Sequence, residues 1–197
     1  MKRSLTTAVL LLAGVACNFG PTPSETVDLL VDAVRARDSV EVARYIDIRS
    51  VAESAVDPLL QAASIMGQAD PERFRRQTGG LGLEMLEGFR PMIAPLMEQL
   101  FWQMMLDPES LQEGPIGMFL GNQPLPFEEL GNAYRGVLEE QRDGNEAMVA
   151  IELLDEANNT PPMVLQLRLE RVEGDWRVVA FDNLSQAIAE MLQSSNL

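Results

Sequence analysis

Met163-Val164-Leu165-Gln166-Leu167-Arg168-Leu169-Glu170-Arg171-Val172 alternates apolar and polar residues with a period of two. Met163, Leu165, Leu167 and Leu169 fall on one side of an extended chain, and Val164, Gln166, Arg168 and Glu170 on the other. That is the pattern of a strand packed on one face and wet on the other, the usual condition of an antiparallel sheet. Its neighbours have the same character: residues 134–140, 146–154 and 176–181 read as three more strands. Arg142-Asp143-Gly144-Asn145, the longer stretch 155–162 and Glu173-Gly174-Asp175 are the turn sequences between them. Short connections join adjacent antiparallel strands, so the expected sheet is a four-stranded meander. Trp176 is expected in the core, its ring anchoring the final hairpin. Asp182-Asn183 then opens a short closing helix that uses Leu184, Ile188 and Leu192.

Upstream of the sheet the period becomes helical. Leu86, Phe89, Ile93, Leu96, Leu100 and Met104 step by three and four along residues 81–106. Met85, Met92, Met97, Phe101, Trp102 and Met105 widen the stripe until little polar surface remains, which predicts a helix buried on several sides as core under the sheet. The competing expectation is that Met85, Met92, Met97, Phe101, Met104 and Met105 line a deformable groove for an acyl chain or a partner helix. Glu84, Glu87, Arg90 and Glu98 argue against a membrane span. Pro58, Pro71, Pro91, Pro95 and the Gly79-Gly80 pair are expected to cut the segment into pieces, because proline inside a helix costs about 3 kcal/mol. Asp107-Pro108-Glu109-Ser110-Leu111 closes it with one more helical turn, and a Gly- and Pro-rich loop over 114–126 leads to the sheet.

Three capped helices are expected before that. Thr22-Pro23-Ser24-Glu25 combines a capping hydroxyl, proline at the first helical position and a glutamate placed to bond back. Val27, Leu30, Val31 and Val34 form the apolar face that follows. Asp38-Ser39-Val40-Glu41 starts a second helix through Ile46, and Ser50-Val51-Ala52-Glu53 a third, with Asp47-Ile48-Arg49 as a tight corner between them. Helices first and an antiparallel sheet last make the fold class α+β, with the helices packed on the sheet's apolar face and the whole cone-like.

The chain opens on Met1-Lys2-Arg3, an apolar run over 5–14 and small residues before Cys17, the only cysteine. This is the order of a secretory leader, and the twelve residues from Leu5 to Ala16 are too few to cross about 30 Å of hydrocarbon. Gly14-Val15-Ala16-Cys17 resembles the lipobox of bacterial lipoproteins, which implies cleavage between Ala16 and Cys17 and acylation of the thiol. Asn18 after it then implies the outer membrane. The alternative is an ordinary secretory signal cut after Ala16. The expected organisation is a signal over 1–16, a lipidated tether over 17–22 reaching about 17 Å, and one domain over 23–195, helical over 23–113 and sheet over 131–182.

The net charge is −15, from 15 Lys+Arg against 30 Asp+Glu, and two units more negative once Lys2 and Arg3 leave with the leader. Such a surface repels phosphate, which argues against nucleic acid and against adhesion to anionic lipid head groups as partners. The expected partners are the membrane, through the lipid alone, and an apolar small molecule or an envelope protein. With Cys17 acylated there is no internal disulfide, so the core alone holds the fold.

Residues 25–55, containing Val34-Arg35-Ala36-Arg37-Asp38 and Tyr45-Ile46-Asp47-Ile48-Arg49-Ser50-Val51, resemble the opening of a bacterial domain-of-unknown-function family, the one numbered 2939. Met105-Leu106-Asp107-Pro108-Glu109-Ser110-Leu111 resembles its proline step before the sheet. The sheet, with Gly174-Asp175-Trp176-Arg177-Val178 near its end, is similar to the cone-shaped folds of nuclear-transport-factor-two-like and lumazine-binding-like lipoproteins. The resemblance implies the fold and an envelope location and assigns no activity.

Chemistry is bounded by what the chain lacks. There is no histidine, and Lys2 and Cys17 are the only lysine and cysteine. Histidine-based triads, Schiff-base lysines and nearly all zinc sites are thereby excluded, and no cofactor is expected. Carboxylates and tyrosines remain. Asp47 as base, with Tyr45 or Tyr134 as hydrogen-bond donor, is the enzymatic alternative, an isomerase- or hydrolase-like site in the cone; the structural one is that Asp47 caps the corner. Asp143, Asn145 and Glu146, or Asp155, Glu156, Asn158 and Asn159, offer oxygens to calcium, although neither set has EF-hand spacing and hairpin turns use the same residues. The overall expectation is a non-catalytic binding or interaction module, with a purely structural accessory subunit of an envelope complex as a further alternative.

Overall fold

The computed structural model describes residues 20–77, 82–106, 132–154 and 162–187. Within them the chain is α+β. Helices α1 (Pro23–Ala36), α2 (Ser39–Tyr45), α3 (Ile48–Ala69), α4 (Pro71–Gln77), α5 (Leu83–Gly88) and α6 (Arg90–Leu106) precede strands β1 (Tyr134–Asp143), β2 (Glu146–Leu153), β3 (Met163–Val172) and β4 (Asp175–Phe181). The strands pair in sequence order, β1-β2-β3-β4, all antiparallel. A helical turn at 184–187 follows.

The β1–β2 and β3–β4 hairpins are closed by two-residue turns, shorter than the turn sequences imply by two residues, which join β1, and by one, which joins β4. Gly144-Asn145 places glycine at a positive φ of 62°, and Glu173-Gly174 places both residues there, at 55° and 101°. These backbone forms carry the right-handed twist of the strands through the turn. Asp143 and Asp175 are thereby strand residues.

The period-two pattern of β3 becomes the core. Leu167 and Leu169 are buried and pair with Val149 and Ala147 of β2; Leu169 also faces Val178 of β4. Val27, Leu30 and Ala33 of α1 close over this face, and Trp176 joins it. The Arg171 guanidinium lies 5.9 Å from the Trp176 ring centroid. On α1 the inward stripe is turned slightly from the valine pattern: Thr26 and Ala33 are buried beside Val27 and Leu30, while Val31 and Val34 are only half-buried.

The first helix starts are built as their residues dictate. The Glu25 N–H donates to Thr22 Oγ1 (3.2 Å) and the Thr22 N–H to Glu25 Oε2 (2.7 Å), a complete capping box with Pro23 at the first position. Asp38 Oδ1 accepts from the N–H groups of Val40 and Glu41, both at 3.1 Å, and starts α2. The third start lies elsewhere than expected. Asp47, not Ser50, caps α3: its Oδ1 accepts from the Ser50 N–H (3.1 Å) and its Oδ2 from the Ser50 hydroxyl (2.9 Å). Ile46 bridges Val178 in parallel, and the Asp47 N–H donates to the Val178 carbonyl (2.9 Å), so the corner is stitched to the outer edge of β4.

Two of the expected proline breaks do not occur. Helix α3 runs 22 residues through Pro58, and α6 runs 17 through Pro95. In α3, Val51, Ala52, Ala55, Val56 and Leu60 are buried on both sides of the proline, and the helix packs on β4 and α6. Burying several apolar side chains, each worth roughly 1.5–3 kcal/mol, outweighs the roughly 3 kcal/mol cost of the proline. Pro71 and Pro91 sit at the first and second positions of α4 and α6, where the missing N–H is harmless.

Candidate functional site

The segment 81–106 is not one buried helix. Phe89 forms a turn between α5 and α6, yet the hydrogen bonding runs through it: the Phe89 N–H donates to the Met85 carbonyl (3.2 Å) and the Met92 N–H to the Phe89 carbonyl (2.8 Å). The two faces of this element have opposite fates. Toward its C-terminal end Met105 is buried in the core, and Phe101 and Trp102 pack against that core, edge to face at 5.3 Å. Toward its N-terminal end Met85 is 55% exposed, Phe89 42%, Met92 62% and Leu96 46%. The expectation of a helix buried on several sides is therefore corrected.

The expected groove is divided in the same way. Met85 and Met92 face outward, Met97 is half-buried, and Phe101 and Met105 belong to the core side. The Met104 side chain lies outside the described residues, as do Asp107–Leu111, the loop over 114–126, Gly79-Gly80, and Ile188 and Leu192. Phe89 and Leu96, expected in the core, instead join Met85 and Met92 on the exposed side. Positions 85, 89, 92 and 96 follow steps of four, three and four across the turn at Phe89. The same steps continue to Gln99 and Gln103, which are polar. That change is the one sign in the sequence that the outward stripe ends before the core half begins.

A charged cluster lies between α5, α6 and α3. Glu84, Glu87 and Arg90 are exposed on the same helices, and Asp57 faces them from α3. Arg90 Nε donates to Glu87 (3.2 Å), and its Nη1 donates to Asp57, so the one cation is shared between two carboxylates. Those two hydrogen bonds hold the Arg90 guanidinium pKa above its ordinary value. Among the described residues Glu84 has no ion pair.

The carboxylates and phenols of the enzymatic alternative are engaged elsewhere and apart. Asp47 uses both oxygens on Ser50. Tyr45 is buried on α2; burial, and then the hydrogen bond its hydroxyl shares with Glu41, push its pKa up. Tyr134 begins β1, and its hydroxyl donates to Asp28 Oδ1 of α1. Burial, reinforced by that hydrogen bond and the Asp28 charge, raises its pKa strongly. β1 and β4 are opposite edges of the sheet, with Tyr134 on the first and Asp47 bonded to the second. The structure does not bring the base and the second donor together.

Asp143, Asn145 and Glu146 lie on the β1–β2 hairpin and are exposed, and the second oxygen-rich loop, Asp155 to Asn159, is outside the described residues. Among the described residues no three acidic or soft ligands are grouped to hold a metal. No described helix is long and apolar enough to cross a membrane. Residues 1–19, with Ala16 and Cys17 among them, lie outside the described residues.

No protein-family model, curated protein or solved structure matches the chain. Among the described residues, Met85, Phe89, Met92 and Leu96 bring four exposed large apolar side chains into one short segment.

Proposed function

We propose that this protein is a lipid-anchored binding module of a bacterial cell envelope, without catalytic activity, that engages an apolar molecule or a protein partner through the outward face of α5 and α6. One observation carries the binding half: four large apolar side chains, Met85, Phe89, Met92 and Leu96, stand in a row with 42 to 62% of their surface in water. Single exposed apolar residues are ordinary, whereas contiguous ones mark interaction sites. Methionine suits such a site because its unbranched thioether adapts to irregular partners. The engagement of Asp47, Tyr45 and Tyr134 in capping and in hydrogen bonds to Glu41 and Asp28 supports the non-catalytic half. The anchoring half rests on Cys17 and the residues around it.

Mass spectrometry of the full chain under non-denaturing conditions tests the binding half. The wild type should retain an apolar molecule or a partner that the double variant Phe89→Ser/Met92→Ser loses. A clean mass for both defeats the reading and favours a structural accessory subunit. For the anchor, Cys17→Ser should move the protein from membranes to the soluble fraction, and unchanged retention defeats it.

A further inference from the structure

We infer that Met85 and Met92 form an oxidation site, where a peroxide converts the two thioethers to sulfoxides and so makes the outward row of α5 and α6 polar while the fold is kept. The site stands on the exposure and packing of the methionines. Its consequence for a bound apolar species deepens the binding reading above and rests on it.

The first argument is access. Oxidation of a side-chain sulfur follows its exposure. Among the methionines whose side chains are described, Met85 and Met92 are the exposed ones, with 55% and 62% of their surface in water. Met97, Met148 and Met163 are half-buried, and Met105 is only 6% exposed. The step moves one oxygen atom. A sulfur lone pair attacks the peroxide, the O–O bond breaks as the S–O bond forms, and hydrogen peroxide leaves as water; sulfur is oxidised and the peroxide reduced. No thiol competes for the oxidant in the anchored protein, because Cys17 is the only cysteine and acylation consumes it. The bacterial periplasm is an oxidising compartment.

The second argument is what the new oxygen meets. A sulfoxide is polar where the thioether was apolar and adaptable. On Met85 and Met92 that oxygen is hydrated and no core contact is lost. On Met105, which belongs to the core cluster, it is a buried polar group that needs a partner. The fold thus keeps the methionine its core uses away from the two that a peroxide reaches. Met85 and Met92 are half of the outward row, so their oxidation leaves Phe89 and Leu96 each beside polar neighbours.

The full chain is treated with hydrogen peroxide and digested, and sulfoxide at each methionine is followed by mass spectrometry. Met85 and Met92 should oxidise at least about tenfold faster than Met105, and the difference should vanish in urea. The oxidised protein should keep its circular dichroism spectrum and elute earlier from a phenyl hydrophobic-interaction column. Met85→Leu/Met92→Leu holds the apolar volume without the sulfur and should show less than about half of that shift. Native rates equal for Met85, Met92 and Met105 overturn the inference, as does a circular dichroism spectrum lost on oxidation, or a double variant that shifts as far as the wild type. In non-denaturing mass spectrometry, peroxide should release the retained apolar species from the wild type and leave it on the double variant. Retention by the oxidised wild type overturns the inference and leaves the binding reading standing. A wild type that retains nothing before treatment defeats the binding reading, and the oxidation rates and column shift still decide the site.

Discussion

Helix α1 and the α5–α6 pair have similar apolar content and opposite surroundings. Val27, Leu30 and Ala33 of α1 are sealed against the sheet, and the helix is tied down at both ends, by the Thr22–Glu25 capping box and by the left-handed Arg37 (φ 54°). The Asp38 N–H bonds the Ala33 carbonyl (2.9 Å) to close its last turn. Along α5 and α6 only the end carrying Phe101, Trp102 and Met105 reaches the core, and the row from Met85 to Leu96 faces water. An apolar stripe at helical spacing therefore specifies that a face seeks cover, and leaves open whether the chain itself provides it.

The contrast is sharpest in stability. Leu169, fully buried between Val178 and Ala147, should cost about 2–5 kcal/mol when changed to alanine, read as a lowered denaturation midpoint in urea. A smaller loss would mean that the sheet face is less tightly packed than its burial indicates. Next comes the corner at β4. Asp47→Ala removes the acceptor for the Ser50 N–H and hydroxyl at the start of α3 and should cost about 0.5–2 kcal/mol, with Asp47→Asn largely restoring it. Failure of asparagine to restore stability would point to a role for the charge beyond capping.

A smaller effect appears in alkali. Both tyrosines of the chain, Tyr45 and Tyr134, have pKa values raised above the ordinary 10.0. The unfolded chain then loses these protons first, so their share of stability is intact below pH 10 and is lost as pH climbs through the folded values. Ultraviolet titration should show Tyr134 still protonated at pH 10 in the folded protein and Tyr45 ionising later than it does in denaturant. A native phenol titrating normally would mean that the clasp between α1 and β1, Asp28 with Tyr134, is open in solution. The smallest change is expected at the other pole of the comparison: Met92→Ser should alter stability by no more than about 0.5 kcal/mol. A loss on the scale of Leu169→Ala would show that Met92 is covered by its own chain and would remove the interaction surface.

Much of the fold was legible because its signals are local. The alternation over Met163–Val172, the Gly144 and Gly174 turns, and the caps at Thr22 and Asp38 each depend on residues within a few positions of one another, and the structure repeats them closely. The third cap was misplaced because Ser50 and Asp47 both have capping chemistry; the choice was made by Ile46 and Asp47 bonding to Val178, more than a hundred residues away. Pro58 misled for a related reason, since the packing that carries α3 past it comes from β4 and α6. At the candidate site the residue types were legible as an apolar, methionine-rich stretch. Their division into an outward row and an inward cluster was not.

By itself, the sequence determined the order of elements, the pairing of neighbouring strands, the starts of the first two helices and the exclusion of histidine- and lysine-based catalysis. These follow from periodicity, capping groups and composition, which act over a single turn or hairpin. That Asp47 caps the corner was already legible as the structural reading of that residue; tertiary structure alone decided that Tyr134 serves Asp28 at the far edge of the sheet, and that Met85, Phe89, Met92 and Leu96 remain in water. Burial is a property of what else arrives at a surface, and α1, α2 and α3 are the helices that pack on the sheet.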